Sequence, residues 1–203
     1  MARKKRDTSG KHQALLKAAI DAFIEFGFEK TSMDQIAGRA NASKRTLYNH
    51  FASKEALIEE AFKMFLADAS QGKNIDYDPD QPIEDQLSAF ADSKMQLTQD
   101  PKQLGLMRVI LSAFISHPQM AHRAVLFSDS LDDGLIPWLQ KANQDGRLTV
   151  PDATLAARVF WSLFAGTFFW PPLVRGPVKK AEGQKLKTEF IKLFLARYQE
   201  GSG

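Results

Sequence analysis

The stretch SKRTLYNHFASKEAL, Ser43 to Leu57, decides how this chain is read. A helix of about two turns there carries Lys44, Arg45, Thr46, Tyr48, Asn49 and His50, and offers only Leu47 and Phe51 as apolar anchors. Helices that short are not held by propensity and depend on packing against neighbours. Leu47 and Phe51 stand four apart on one face, so a slot between two other helices would anchor both. The polar face is then either simply solvated or kept for a partner.

The neighbours are legible upstream. In KHQALLKAAIDAFIEFGFEKTS, residues 11–32, Leu15, Ala19, Ala22, Phe23 and Phe26 recur at helical spacing, and Gly27 follows the last of them as a left-handed helix stop. Ser32, with Gln35 three residues on, reads as a capping box opening a second helix whose apolar side is Ile36, Ala37 and Ala40. Asn41-Ala42-Ser43 is then a tight turn with Ser43 as the next N-cap, and the third helix runs from Lys44 to about His50. Ser53 caps a fourth, longer helix, with Glu55 favourable near its N-terminus. Three short helices joined in this way form a helix-turn-helix.

In that motif the second helix of the pair enters the DNA major groove with its N-terminal residues at base edges. Arg45 suits guanine, Asn49 adenine, and Thr46 a thymine methyl. Lys44 joins them on the polar face, while Tyr48, His50 and Lys54 fall at the groove's edge and suit phosphates. The amides opening the helix near Met33, with Thr31 and Ser32, suit another phosphate. Charge agrees: residues 1–50 hold ten Lys/Arg against five acids, a net of +5, and the whole chain sums to only +3. Such asymmetry is the footprint of a polyanion-binding end.

The rest of the 203 residues bounds the alternatives. There is no Cys, which excludes disulfides, thiol catalysis and Cys-ligated zinc and fits a cytoplasmic location. The basic start MARKKRDTSGKHQ is not a secretory signal, since charged residues interrupt the apolar positions that follow. The apolar run VFWSLFAGTFFWPPLV, residues 159–174, falls short of a spanning segment and holds Pro171-Pro172, so a buried helix and no membrane partner are expected. His117 and His122 are five apart, His12 and His50 lie in different contexts, and Asp132-Asp133 point to different sides of a helix. No metal, cofactor or catalytic set is expected. Beyond the polar linker SQGKNIDYDPDQP, residues 70–82, come long helical patterns bounded by Pro101, Pro118, Gly146, Pro151 and Pro171-Pro172, with Pro137 kinking or dividing one of them. The fold class is all-α. The expected division is a disordered basic arm over 1–10, a three-helix helix-turn-helix DNA-binding domain over 11–55, and a helical domain over 56–200.

The run AAIDAFIEFGFEKTSMDQIAGRANASKRTLYNHFASKEAL, residues 18–57, strongly resembles the DNA-binding domain of TetR-family transcriptional regulators. Phe-x-x-x-Gly-Phe-x-x-Thr-Ser over Phe23 to Ser32, Ile36-Ala37, and Thr-Leu-Tyr-x-His-Phe over Thr46 to Phe51 stand in family order and spacing; Ala42, often Val in the family, departs from it. Residues 105–130 and 145–170 look, more weakly, like the effector domain of the AefR-like subgroup. The resemblance implies a homodimeric regulator, a repressor of a palindromic double-stranded DNA operator, released by a small apolar or amphipathic effector. It implies a helical-bundle effector and dimerisation domain, with a pocket at Phe65, Met107, Ile110 and Phe114. Dimer contacts on the last two long helices would involve Val159, Phe160, Leu163, Thr167, Phe190, Phe194 and Tyr198. The rival readings are a helical small-molecule-binding module or carrier without sequence-specific DNA binding, and an enzyme. Neither the effector, the operator nor the regulated genes follow from the residues.

Overall fold

The computed structural model describes residues 8–70, 75–129 and 134–199, whose regular structure is all helical, with no strand among them. The helices are α1 Thr8–Phe26, α2 Met33–Arg39, α3 Lys44–His50, α4 Lys54–Ser70, α5 Ile83–Leu97, α6 Pro101–Ser116, α7 Pro118–Asp129, α8 Leu135–Gln144, α9 Ala153–Phe168, α10 Trp170–Arg175 and α11 Lys180–Tyr198. Most of the expected basic arm, residues 1–7, lies outside the described residues. Its last three residues, Thr8 to Gly10, already belong to α1.

The contacts group the chain into two compact units, one of Met1–Ala67 with Gly105–Ser128 and one of Asp68–Leu104 with Asp129–Gly203. In the first, Leu15, Ala19 and Phe23 form the fully buried stripe of α1. Gly27, at φ +80°, ends the helix in the left-handed conformation that an L side chain adopts only under strain. Ser32 caps α2 through the reciprocal box with Gln35: the Gln35 amide donates to Ser32 Oγ at 3.2 Å, and the Ser32 amide to Gln35 Oε1 at 2.8 Å. The turn into α3 is a Schellman motif. Ala42 N donates to Ala37 O and Asn41 N to Gly38 O, and Asn41 takes the left-handed position at φ +45°. Asn tolerates that position better than most side chains.

The expected cut after residue 55 runs through this unit. α4 is continuous from Lys54 and buries Leu57, Ile58 and Ala61. Residues 105–128 pack with the first four helices: a Cβ at Gly105 would stand 3.4 Å from Ile24 Cγ2, and Phe114 meets Phe62 edge-on at 5.3 Å. His117 Nε2 lies 2.9 Å from Glu29 Oε1, and the Arg123 guanidinium is paired with Glu59.

In the second unit Trp138 is the largest fully buried side chain. Its indole N–H donates to Gln86 Oε1 at 3.0 Å, and Tyr77 and Phe90 pack edge-on against its ring. Pro137 sits in the first turn of α8, where a missing N–H costs nothing. Pro171-Pro172 likewise open a helix, α10, rather than merely ending α9. On α9, Phe160, Phe164 and Phe168 turn inward onto Phe190 and Phe194 of α11. This corrects part of the expected dimer surface. Phe160 and Phe194 are 0% and 1% exposed and Tyr198 is buried too, so all three are spent on the subunit's own core. The outward strip of α9 is instead Leu155, 54% exposed, and Val159, 39% exposed, with Leu163 and Thr167 half-buried beside it. On α11 Phe190 is half-buried and Leu193 is exposed. Among the described residues no helix is long and apolar enough to cross a membrane.

Candidate nucleic-acid interface

Ser43 starts α3 by accepting the Thr46 amide at 3.0 Å, and its hydroxyl also meets Thr46 Oγ1 at 2.8 Å. Leu47 and Phe51 then fill the interior at 0% and 2% exposure. At about 100° per residue, the face opposite Leu47 carries Arg45, Tyr48 and Asn49. All three are exposed, and among the described residues none has a hydrogen-bond or ion-pair partner. Lys44 is exposed but committed: its ammonium lies 2.8 Å from Asp34 Oδ1, and that hydrogen bond raises its pKa above the ordinary lysine value. Arg39 is similarly paired with Glu25 at 2.6 Å. The unengaged cation on the outer face of α3 is therefore Arg45, with Tyr48 and Asn49 at its side.

Two expected contact residues have other work. Thr31 is buried, and its hydroxyl donates to Gly27 O at 2.7 Å and reaches Ala22 O at 3.3 Å, tying the α1–α2 connection to α1. Lys54 points back into the same connection. Its ammonium donates to Phe28 O at 2.8 Å and Glu29 O at 3.2 Å and stands 4.4 Å from the centre of the Phe28 ring. Both side chains thus hold the α1–α2 connection that α2 and α3 follow. Ser32 stays exposed at the start of α2, with its hydroxyl engaged in the capping box. Lys54→Met is expected to lower stability by about 1–2 kcal/mol, since a charged donor to two carbonyls is lost while its stem is kept. Urea unfolding of the two proteins measures the difference.

One cluster escaped the sequence. His12 and His50, expected in different contexts, face each other with ring centres 5.6 Å apart. His12 also stacks on Phe51 at 4.4 Å and pairs with Glu60. Helical spacing gives no hint of it, because residues 12, 50 and 60 come from α1, α3 and α4. The imidazole of His50 is thereby oriented at the C-terminal end of α3. No cluster of metal-ligand type occurs among the described residues.

The expected pocket residues are placed in the first unit. Phe65, Met107 and Ile110 are buried and Phe114 half-buried. A cleft of about 230 Å³ lies elsewhere, in the second unit, and none of the four lines it. Its lining mixes polar side chains with Met95 and Phe168, a pattern that only the meeting of separate helices creates.

An exposed Arg-Tyr-Asn face on a capped, anchored second helix, in a chain whose second unit is also helical, defines a helix-turn-helix protein of DNA-binding type. Residues 15–61 match the tetR family of bacterial regulatory proteins, and residues 85–200 the C-terminal domain of AefR-like transcriptional repressors. The chain belongs to the TetR family. It is 31% identical to a TetR-family regulator of Pseudomonas syringae pv. tomato, with a TM-score of 0.79 over 97% of this chain and 100% of that one. The regulator YhgD of Bacillus subtilis, described as uncharacterized, is 28% identical over 78% of this chain and 85% of its own. The flavonoid-responsive regulator FrrA is 27% identical, with a TM-score of 0.73 over 95% and 99% of the two chains.

Proposed function

We propose that the chain acts as a homodimeric repressor, reading two half-sites of a palindromic operator with its paired α3 helices and released by a small amphipathic effector. The observation that carries this is the division of α3, with Leu47 and Phe51 locked inside and Arg45, Tyr48 and Asn49 exposed outside without a hydrogen-bond or ion-pair partner among the described residues. Half-sites in successive major grooves, one helical turn or a multiple apart, suit a two-fold dimer. Leu155 and Val159 of α9 and Leu193 of α11 supply exposed apolar surface for the second subunit. The likeness to a flavonoid-responsive regulator supports an effector of amphipathic character. An effector that binds only the conformation with misplaced heads weakens DNA binding, and the operator weakens effector binding by the same factor.

The test is fluorescence anisotropy against duplexes tiling the DNA upstream of the gene, with scrambled controls and a salt series. One duplex is expected to bind far more tightly than its scrambled partner, with a log-log salt slope near −0.9 per neutralised phosphate. Arg45→Ala is expected to cost about 1–3 kcal/mol of that binding, roughly ten- to a hundredfold, with the unfolding midpoint unchanged. Equal binding of Arg45→Ala and wild type, or no sequence preference in a genome-wide selection of bound fragments, would replace the regulator with a carrier.

A further inference from the structure

The cleft of the second unit opens where the C-terminal turns of α5, the end of α9 and the first turns of α11 meet. Its floor is apolar: Met95, Phe168 and Val178, with the α11 backbone brought close at Gly183, where a Cβ would stand 3.4 Å from Phe168 Cε1 and 3.6 Å from Met95 Cε. One wall is the carboxylate of Asp92, and its charge is already answered. Lys187 Nζ lies 2.8 and 2.9 Å from the two Asp92 oxygens and 2.8 Å from Ser88 Oγ. At the rim stands Lys180, exposed and, among the described residues, without an ion-pair partner, with Gln184 one helical turn further on. The cleft therefore joins an apolar floor to one positive charge that no described residue pairs with, and to the side-chain amides of Gln96, Gln99 and Gln184.

At about 230 Å³ the cleft holds the volume of roughly eight liquid-water molecules. That is below the range of about 300–1,000 Å³ typical of drug-sized ligands and close to one aromatic ring bearing a short polar group. From the floor, the rim and the size together, we infer that this cleft binds a small aromatic monocarboxylate. The ring lies on Met95, Phe168 and Val178, and the carboxylate meets the Lys180 ammonium and the Gln184 amide. A cation is disfavoured, because Asp92 already holds Lys187 and the open charge at the rim is positive. That this anion is also the effector rests on the regulator reading; the binding itself does not.

The experiment is isothermal titration of the purified full-length chain, without DNA, using benzoate as probe and benzylamine and benzyl alcohol as its cationic and neutral counterparts. Benzoate is expected to bind saturably with a dissociation constant on the order of 1 mM, the strength of a fragment of this size. Lys180→Glu, an exposed change that leaves the core alone, is expected to weaken it roughly tenfold or more. Gly183→Leu, filling the floor, is expected to abolish it. Absence of saturable benzoate binding, equal binding of benzylamine or benzyl alcohol, or unchanged affinity in Lys180→Glu overturns the site. Operator anisotropy with and without benzoate reads the second question separately. Benzoate bound by a chain that ignores every operator keeps the cleft and removes the regulator, whereas operator binding with no benzoate heat does the reverse.

Discussion

Leu47→Ala is expected to destabilise the first compact unit by about 3 kcal/mol and to remove operator binding altogether. The side chain is 0% exposed, and with Phe51 it forms the buried apolar anchor of the seven-residue α3. Truncation removes the transfer free energy of three carbons and leaves a cavity that rigid neighbours fill only in part. A helix of two turns has no stability of its own with which to compensate. The outer residues Arg45, Tyr48 and Asn49 are untouched by this change, yet they lose the frame that orients them. Leu47→Met conserves most of the volume and is expected to cost less than about 1.5 kcal/mol and to keep DNA binding. Urea denaturation and operator anisotropy on the same three proteins decide the matter. Full operator affinity in Leu47→Ala would mean that α3 docks by some other anchor.

The second large effect belongs to Asp92 and Lys187, and it is asymmetric. Lys187 has a side chain only 9% exposed, while that of Asp92 is 44% exposed. Asp92→Ala strands an ammonium in a mostly buried place with Ser88 Oγ as its remaining partner among the described residues, and breaking such a pair from one side costs about 3 kcal/mol. Lys187→Met removes the buried charge, keeps the stem, and leaves a carboxylate that water already reaches. Its expected cost is below about 1 kcal/mol, because the desolvation of the ammonium disappears with its attraction. Chemical denaturation of both variants and of the double variant measures the coupling. Equal losses from the two single changes would show that burial of the lysine is not what sets the energy.

The two effects fall on either side of what local sequence can show. The box of Ser32 and Gln35, the stop at Gly27, the cap at Ser43 and the limits of α3 were all legible, because each is settled within about four residues of chain. The pattern that carries the family resemblance is made of these same signals, and the family match bears it out. The partners of Lys54 and Thr31 were hidden because they are fixed by tertiary approach: Lys54 reaches carbonyls 25 and 26 residues away. The pairing of His12 with His50 was invisible for the same reason. On α9, Thr154, Arg158 and Ser162 mark the outer side every four residues, but every position between them is apolar, so Phe160 on the inner face and Val159 on its flank looked equivalent. The cleft lined by Asp92, Phe168, Lys180 and Gln184 had no sequence signal at all, being assembled from three separate stretches.

The grouping of residues 105–128 with the first four helices limits how this regulator can be taken apart. A fragment ending after α4 would strip Ile24, Phe62, Glu29 and Glu59 of Gly105, Phe114, His117 and Arg123 respectively. It would expose apolar surface and unpair two acids at once. Chimaeras that graft this DNA-reading module onto a foreign sensor should therefore carry α6 and α7 across with it. The unit of exchange in this chain is discontinuous in sequence, and a junction chosen by the end of the helix-turn-helix alone would cut through it.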